Sequence, residues 1–272
     1  MYNLLKTGGE MTRMRIPIYQ VDAFTNEQFK GNPAAICPLQ DWIKEDVMQK
    51  IAAENNLSET AFFVKKDDAY ELRWFTPKGE VDLCGHATLA AAYVICTYIE
   101  ENVKKITFKT KSGLLEVSKD GGLFTLSFPS REGAKCDTPE ELIKGLGKAP
   151  IEVYKSRDYL AVFDTEQDIL DLELNIDELK KLDGFGVIVT AKGEDVDFVS
   201  RFFAPKAGID EDPVTGSAHC TLVPYWKNKL NKNQFVAWQL SERGGKLYCT
   251  DVGETVKIAG EAVSYLEGFI NV

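Results

Sequence analysis

The chain has 272 residues, 44% of them hydrophobic, enough for one large core or two smaller ones. Its formal net charge is −10 and it carries no basic run, which argues against a nucleic-acid partner, because phosphate binding needs clustered Lys and Arg. The longest apolar run, Ala87 to Cys96, is far short of the ~20 residues that span a bilayer. The six cysteines form no C-x-x-C pair and no metal-ligand spacing with the two histidines. A reduced, cytoplasmic setting without disulfides or a bound metal is therefore expected.

Residues 1–13 contain no apolar signal segment. They read as a disordered leader or a start-site artefact, with Met11 and Met14 as alternative starts. Patterning begins with a strand over Ile16 to Phe24, followed by a turn at Phe29 to Pro33. Apolar residues Ile43, Val47, Met48 and Ile51 are spaced for a helix over Asp41 to Glu54. Strands are expected at Leu57 to Val64 and Tyr70 to Phe75. Ala87 to Ile99 is apolar almost all round, as in a helix buried on every side. Ile106 to Phe128 reads as strands joined by turns at Ser112-Gly113 and Asp120 to Gly122.

A short helix opens at Thr138-Pro139 and closes at Gly145. Strands at Ile151 to Tyr154 and Tyr159 to Phe163, a helix at Ile176 to Leu182 and a strand at Gly186 to Thr190 follow. A strand at Asp197 to Phe203 leads to a helix over Ser217 to Leu230, with a kink expected at Pro224. Strands at Phe235 to Leu240, Lys246 to Asp251, Glu254 to Ile258 and Ala262 to Asn271 complete the pattern.

One phrase occurs twice. Arg73-Trp74-Phe75-Thr76-Pro77-Lys78 precedes Cys84-Gly85-His86-Ala87-Thr88, and Arg201-Phe202-Phe203-Ala204-Pro205-Lys206 precedes Asp212 to His219. Arg to Gly spans 12 residues in the first copy and 15 in the second, and a turn glycine, Gly113 or Gly244, lies 28 residues beyond each. Two related halves are inferred, with a boundary in 129–150, each a bent sheet around one apolar helix. A cleft between such halves suits a small molecule.

Gly85 and Gly216 each precede a buried helix, whose N-terminus offers free N–H donors and partial positive charge. A lone glycine there reads as part of the turn. Two at equivalent places read as contacts to an anion such as a substrate carboxylate. His86 and Asp212 flank these glycines and suit proton transfer or hydrogen bonding, or else capping and bracing of a turn. Ser217 reads as a helix N-cap whose hydroxyl also reaches a ligand, and His219 as a supporting residue one turn into the helix. Cys84 is either a thiol activated at a helix N-terminus or a small buried filler, and its counterpart is read as Asp212. On residues alone Glu59 reads as an exposed loop carboxylate, and Glu80 and Asp82 as solvated.

Four motifs in order resemble the PhzF family of phenazine biosynthesis-like proteins: Val21-Asp22-Ala23-Phe24 with Gly31-Asn32-Pro33-Ala34; Asn56 to Phe62; Cys84 to Thr88; and Asp212 to Ala218. The resemblance runs from Ile16 to the end. It implies an α+β, diaminopimelate-epimerase-like fold of two similar halves, 14–128 and 129–272, each a curled, mostly antiparallel sheet around a central helix, with the last strand crossing back. It also implies isomerisation without a cofactor, and a homodimer. By resemblance Glu59 falls on the general acid/base, His86, Asp212 and Ser217 on polar active-site positions, and Gly85 and Gly216 on backbone contacts to substrate. The expectation is an isomerase that moves a proton on a small carboxylate-bearing metabolite. An epimerase using Cys84 as a base and a non-catalytic binding protein are the alternatives.

Overall fold

The structure, a computed structural model, describes residues 14–272; the leader read over 1–13 lies outside them. The chain forms β1 (Arg15–Ala23), β2 (Asn32–Leu39), α1 (Glu45–Asn55), β3 (Glu59–Lys66), β4 (Ala69–Phe75), the short β5 (Glu80–Val81) and α2 (Gly85–Val94). A π-helical turn, Ile95–Ile99, follows, then β6 (Lys105–Thr110), β7 (Gly113–Asp120) and β8 (Leu123–Pro129). After β9 (Ala134–Lys135) come α3 (Glu140–Leu146), β10 (Glu152–Lys155), β11 (Tyr159–Val162), α4 (Glu166–Leu170), α5 (Ile176–Leu179), β12 (Val187–Lys192) and β13 (Phe198–Phe203). The chain closes with α6 (Gly216–Leu230), β14 (Gln234–Gln239), β15 (Gly245–Asp251), β16 (Thr255–Gly260) and β17 (Ala262–Asn271).

The strand pairings repeat as the sequence does. In the first part, β1–β2 is antiparallel, β2–β3 parallel, β3–β4 antiparallel, β4–β6 parallel, and β6–β7–β8 an antiparallel meander. In the second, β10–β11, β11–β12, β12–β13, β13–β14 and β14–β15–β16 follow the same series. Each parallel step needs a crossover, supplied by α1 and α2 in the first series and by α4–α5 and α6 in the second. The series meet where β8 pairs antiparallel with β16, and β17 returns to pair with β1 as β9 pairs with β10.

The main core lies around α2 and α6 and draws on both series. A smaller cluster sits under α1 and another under α3–α5. Every residue of α2 except Gly85 and Tyr93 is buried, so an all-apolar helix is what this position requires. No helix among the described residues is long and apolar enough to cross a membrane.

Several elements depart from the sequence reading. β2 was not expected. Pro33 and Pro38 argue against a central strand, yet β2 lies between β1 and β3. Residue Asn32, placed in a turn by its composition, is its first residue. The apolar helix is α-helical only to Val94. Gly147, at φ +69°, closes α3 rather than Gly145, which lies inside the helix against Leu179. α4 was missed; its signal is the capping box of Thr165 and Asp168. Pro224 lies inside α6, which runs on through it. It has no N–H for the Cys220 carbonyl, and the backbone N–H of Arg131 donates to that oxygen instead, at 2.9 Å.

Candidate active site

Both repeated arginines act on the loop ahead of a central helix. Arg73 donates from Nε and Nη2 to the two carboxylate oxygens of Glu80 at 2.7 and 2.8 Å. Arg201 does the same to Glu211 at 2.7 and 2.9 Å. Glu80 is thus a braced, largely buried side chain instead of a solvated one, and Arg73 and Lys111 hold its carboxyl below the usual range against the opposing pull of burial. Glu80 lies five residues before Gly85 and Glu211 five before Gly216, so the three extra residues of the second loop precede the brace. The counterpart of Cys84 is therefore Thr215, the other helix N-cap, and not Asp212. Even the first turns agree: Thr88 donates to the Cys84 carbonyl, and His219 Nδ1–H to the Thr215 carbonyl at 2.9 Å.

Neither Thr215 nor Cys84 caps its helix with a side chain, so the leading N–H groups of α2 and α6 stay available. Gly85 and Gly216 have no positive φ, and an added Cβ would meet only the rings of Phe128 and Phe24, at 3.5 and 3.6 Å. The turns do not demand glycine. Its use at both places fits close approach by a ligand.

Glu59 opens β3 and is 9% exposed, so the loop reading from composition is overturned. Its Oε2 lies 3.0 Å from His86 Nε2 in an ion-pair approach, yet receives no hydrogen bond. Burial pulls the His86 imidazole down, but Cys84 and Glu59 outweigh it and hold the ring well above its ordinary value. His86 Nδ1 lies 3.5 Å from Cys84 Sγ. Burial, then the Glu59 charge, push the Cys84 thiol up to about 11 against the pull of His86. No linear spacing announces a donor set, yet the donor atoms of Glu59, Cys84 and His86 lie within 4.8 Å of one another.

Asp212 approaches from the other series and is 9% exposed. Asn32 Nδ2 donates to its Oδ1 at 2.8 Å and to the Val214 carbonyl at 2.9 Å, leaving Asn32 Oδ1 buried without a donor. Thr215 Oγ1 donates to Asp212 Oδ2, and Gln239 Nε2 to the Asp212 carbonyl at 2.8 Å. Burial pushes the Asp212 carboxyl up to about 6, with the His86 charge and the Thr215 and Asn32 hydrogen bonds opposing and Glu59 assisting.

The folded carboxyl is thus raised, and the stability it contributes is full below about 3.9 and lost as pH rises through about 6. A rise of that size corresponds to roughly 3 kcal/mol. Relative to Asp212→Asn, which does not titrate, the wild type should lose about that much between pH 4 and pH 7. Urea unfolding at the two pH values measures it; an unchanged difference between the proteins would refute the assignment.

The remaining residues sort plainly. Ser217 is the second residue of α6 and not its N-cap; its hydroxyl accepts from Arg157 Nη2 at 3.3 Å. Arg157 also forks onto the buried Asp158. His219 is fully buried and neutral, burial pushing it down to about 4. It supports the start of α6 and does not join His86. Asp82 is exposed, as read. Asn32, Gln239 and Arg157 received no role from the sequence. Asn32 stands in a quoted motif; Gln239 and Arg157 carry no linear signal. A surface cavity between Tyr154, Tyr225 and Lys229 shares no residue with this site.

The family model described as phenazine biosynthesis-like protein, PhzC-PhzF, matches residues 21–268. An uncharacterized isomerase from Pseudomonas aeruginosa is 48% identical over 258 residues, covering 95% of this chain and 100% of that protein. A crystal structure of a PhzF-family phenazine biosynthesis protein from Enterococcus faecalis superimposes with a TM-score of 0.94 at 46% identity, covering 95% of this chain and 100% of the other. A hydroxyproline epimerase from Agrobacterium vitis, at 10% identity, has a TM-score of 0.61 over 95% of this chain and 93% of its own. That last likeness is one of fold, and the fold is diaminopimelate-epimerase-like.

Proposed function

The chain belongs to the PhzC-PhzF family of phenazine biosynthesis-like proteins, and from that premise we propose that it is an isomerase that moves a proton between carbons of a small carboxylate-bearing metabolite without a cofactor. The observation that carries the reading is the buried Glu59 Oε2, in ion-pair approach to His86 but satisfying no geometric hydrogen bond, beside two uncapped helix N-termini. A carboxylate so placed has a lone pair for a substrate C–H proton. The uncapped N–H groups at Gly85 and Gly216 receive the substrate carboxylate and the negative charge that develops as the proton leaves.

Glu59 then carries the proton as a carboxylic acid and returns it to a different carbon. One C–H bond breaks and another forms, with no net oxidation. His86 steadies the ionised Glu59, and Asp212 and Asn32 Oδ1 are acceptors for a substrate amine or hydroxyl. An amino acid or cyclic amino acid derivative suits this set. Several relatives are named isomerases, in keeping with the reading. Cys84 is a poor base at neutral pH because its thiol is held up to about 11, which disfavours the epimerase alternative.

The test is a panel of small carboxylates incubated with the protein in deuterium oxide and read by mass. A substrate should gain deuterium only when the protein is present. A ligand that binds by calorimetry yet takes up no deuterium would turn the reading toward a binding protein.

A further inference from the structure

Beyond proton transfer, we propose that Cys84 Sγ, an imidazole nitrogen of His86 and a carboxylate oxygen of Glu59 together form a site for a zinc-type divalent ion. The three donors lie within 4.8 Å of one another and all three residues are buried. A tetrahedral zinc ion, with bonds of about 2.0–2.3 Å to nitrogen, oxygen and sulfur, needs donors roughly 3.3–3.6 Å apart. His86 Nε2 lies 3.0 Å from Glu59 Oε2 and 4.0 Å from Cys84 Sγ, distances that bracket that span. The third side, between Glu59 and Cys84, lies within 4.8 Å.

A second observation points to a ligand independently. Glu59 is 9% exposed, and its Oε2 faces this cluster, where it meets the proposed ligand His86 Nε2 at 3.0 Å and satisfies no geometric hydrogen bond. A buried carboxylate oxygen that satisfies no hydrogen bond is costly, and a divalent ion held between Glu59 and His86 would satisfy it in place of the imidazolium proton. Charge also balances. A thiolate and a carboxylate offset a divalent ion across a neutral imidazole, so the loaded site carries no net charge into a buried place. Loading releases the thiol proton and the imidazolium proton to solvent, because the ligating forms are deprotonated.

The donor chemistry selects the metal. Thiolate and imidazole favour zinc and cobalt over magnesium and calcium, which prefer all-oxygen sets. Three protein donors leave a fourth position for water or a small ligand. A bound ion would occupy the Glu59 oxygen assigned above to proton transfer and so inhibit turnover. That consequence rests on the isomerase reading; the binding itself does not.

The experiment is a titration of the chelator-treated, full-length protein with Co²⁺, followed by absorption. One ion per chain should bind, giving a thiolate-to-cobalt charge-transfer band that Zn²⁺ displaces and excess Mg²⁺ does not. Cys84→Ser should abolish the band, and Glu59→Gln should weaken binding at least tenfold, with unfolding curves showing that both variants fold. Cys136→Ser, at the one cysteine that is not fully buried, should leave the band intact. No band at saturating cobalt, a band that survives Cys84→Ser, or displacement by Mg²⁺ as readily as by Zn²⁺ would overturn the site. Because the readout is optical, its failure is separate from any failure to find deuterium exchange.

Discussion

Replacing Glu59 by Gln should lower turnover by at least ~10²–10⁴-fold, the usual contribution of a positioned acid/base, while leaving the fold in place. Gln has nearly the same shape and keeps an oxygen at the start of β3, so packing there is undisturbed. It cannot accept a proton from carbon. It also removes the charge that helps hold His86 above its ordinary value. Breaking a buried ion pair can cost about 3–5 kcal/mol when the other charge is stranded. Here His86 sheds its proton instead and becomes neutral, which limits the loss. Deuterium uptake measures the rate, NMR titration measures a fall in the His86 pKa, and urea unfolding reports the fold. Normal deuterium uptake by a folded Glu59→Gln protein would refute Glu59 as the proton carrier.

Gly31→Ala should cost the most stability, on the order of 3–5 kcal/mol, a size reserved for backbone clashes and other severe defects. Gly31 sits at φ +64°, and a Cβ there would lie 2.2 Å from the Ala23 carbonyl oxygen and 2.7 Å from Thr25 Cγ2. The backbone has little room to move. The Gly31 N–H donates to the Gly244 carbonyl at 2.7 Å, and Arg243 Nε donates to the Gly31 carbonyl at 2.8 Å. Arg243 also pairs with the buried Asp22 at 2.8 Å. These contacts join the β1–β2 turn to the second strand series one residue before Asn32, which grips Asp212. The melting temperature should fall by roughly 10 °C or more for a chain of this size, and the Asp212 environment should loosen with it. A thermal scan showing a shift under 2 °C would mean the clash is relieved locally and the rivet is unimportant.

What the sequence disclosed follows the range of the interactions concerned. The repeat, the largely apolar helix and the glycines that open α2 and α6 are local patterns, and each was legible. Glu59 was hidden because it follows the loop-like Asn55 to Ser58 and stands near the start of the expected strand, where no local pattern tells a buried carboxylate from an exposed one. β2 was hidden by its two prolines. Asp212 was set opposite Cys84 by counting from the arginine. The helix-side register, visible only through the Arg–Glu braces, puts Thr215 there. Asn32 lies 180 residues from the Asp212 it holds, and no local pattern reports a partner at that distance. The resemblance supplied Glu59, which periodicity and composition did not single out.

The return of β17 to β1 has a consequence for how the chain is made. Arg15 pairs with Asn271, and the register runs back to Ala23 opposite Ala262. On the ribosome, β1 emerges well over two hundred residues before β17, and one of its edges stays bare over that interval. An unpaired edge is a template for wrong partners, and contacts this distant in sequence form slowly. Completion of the sheet around β1 therefore waits on β17. Loss of β17 should harm newborn chains more than its short length suggests, by leaving β1 open to aggregation.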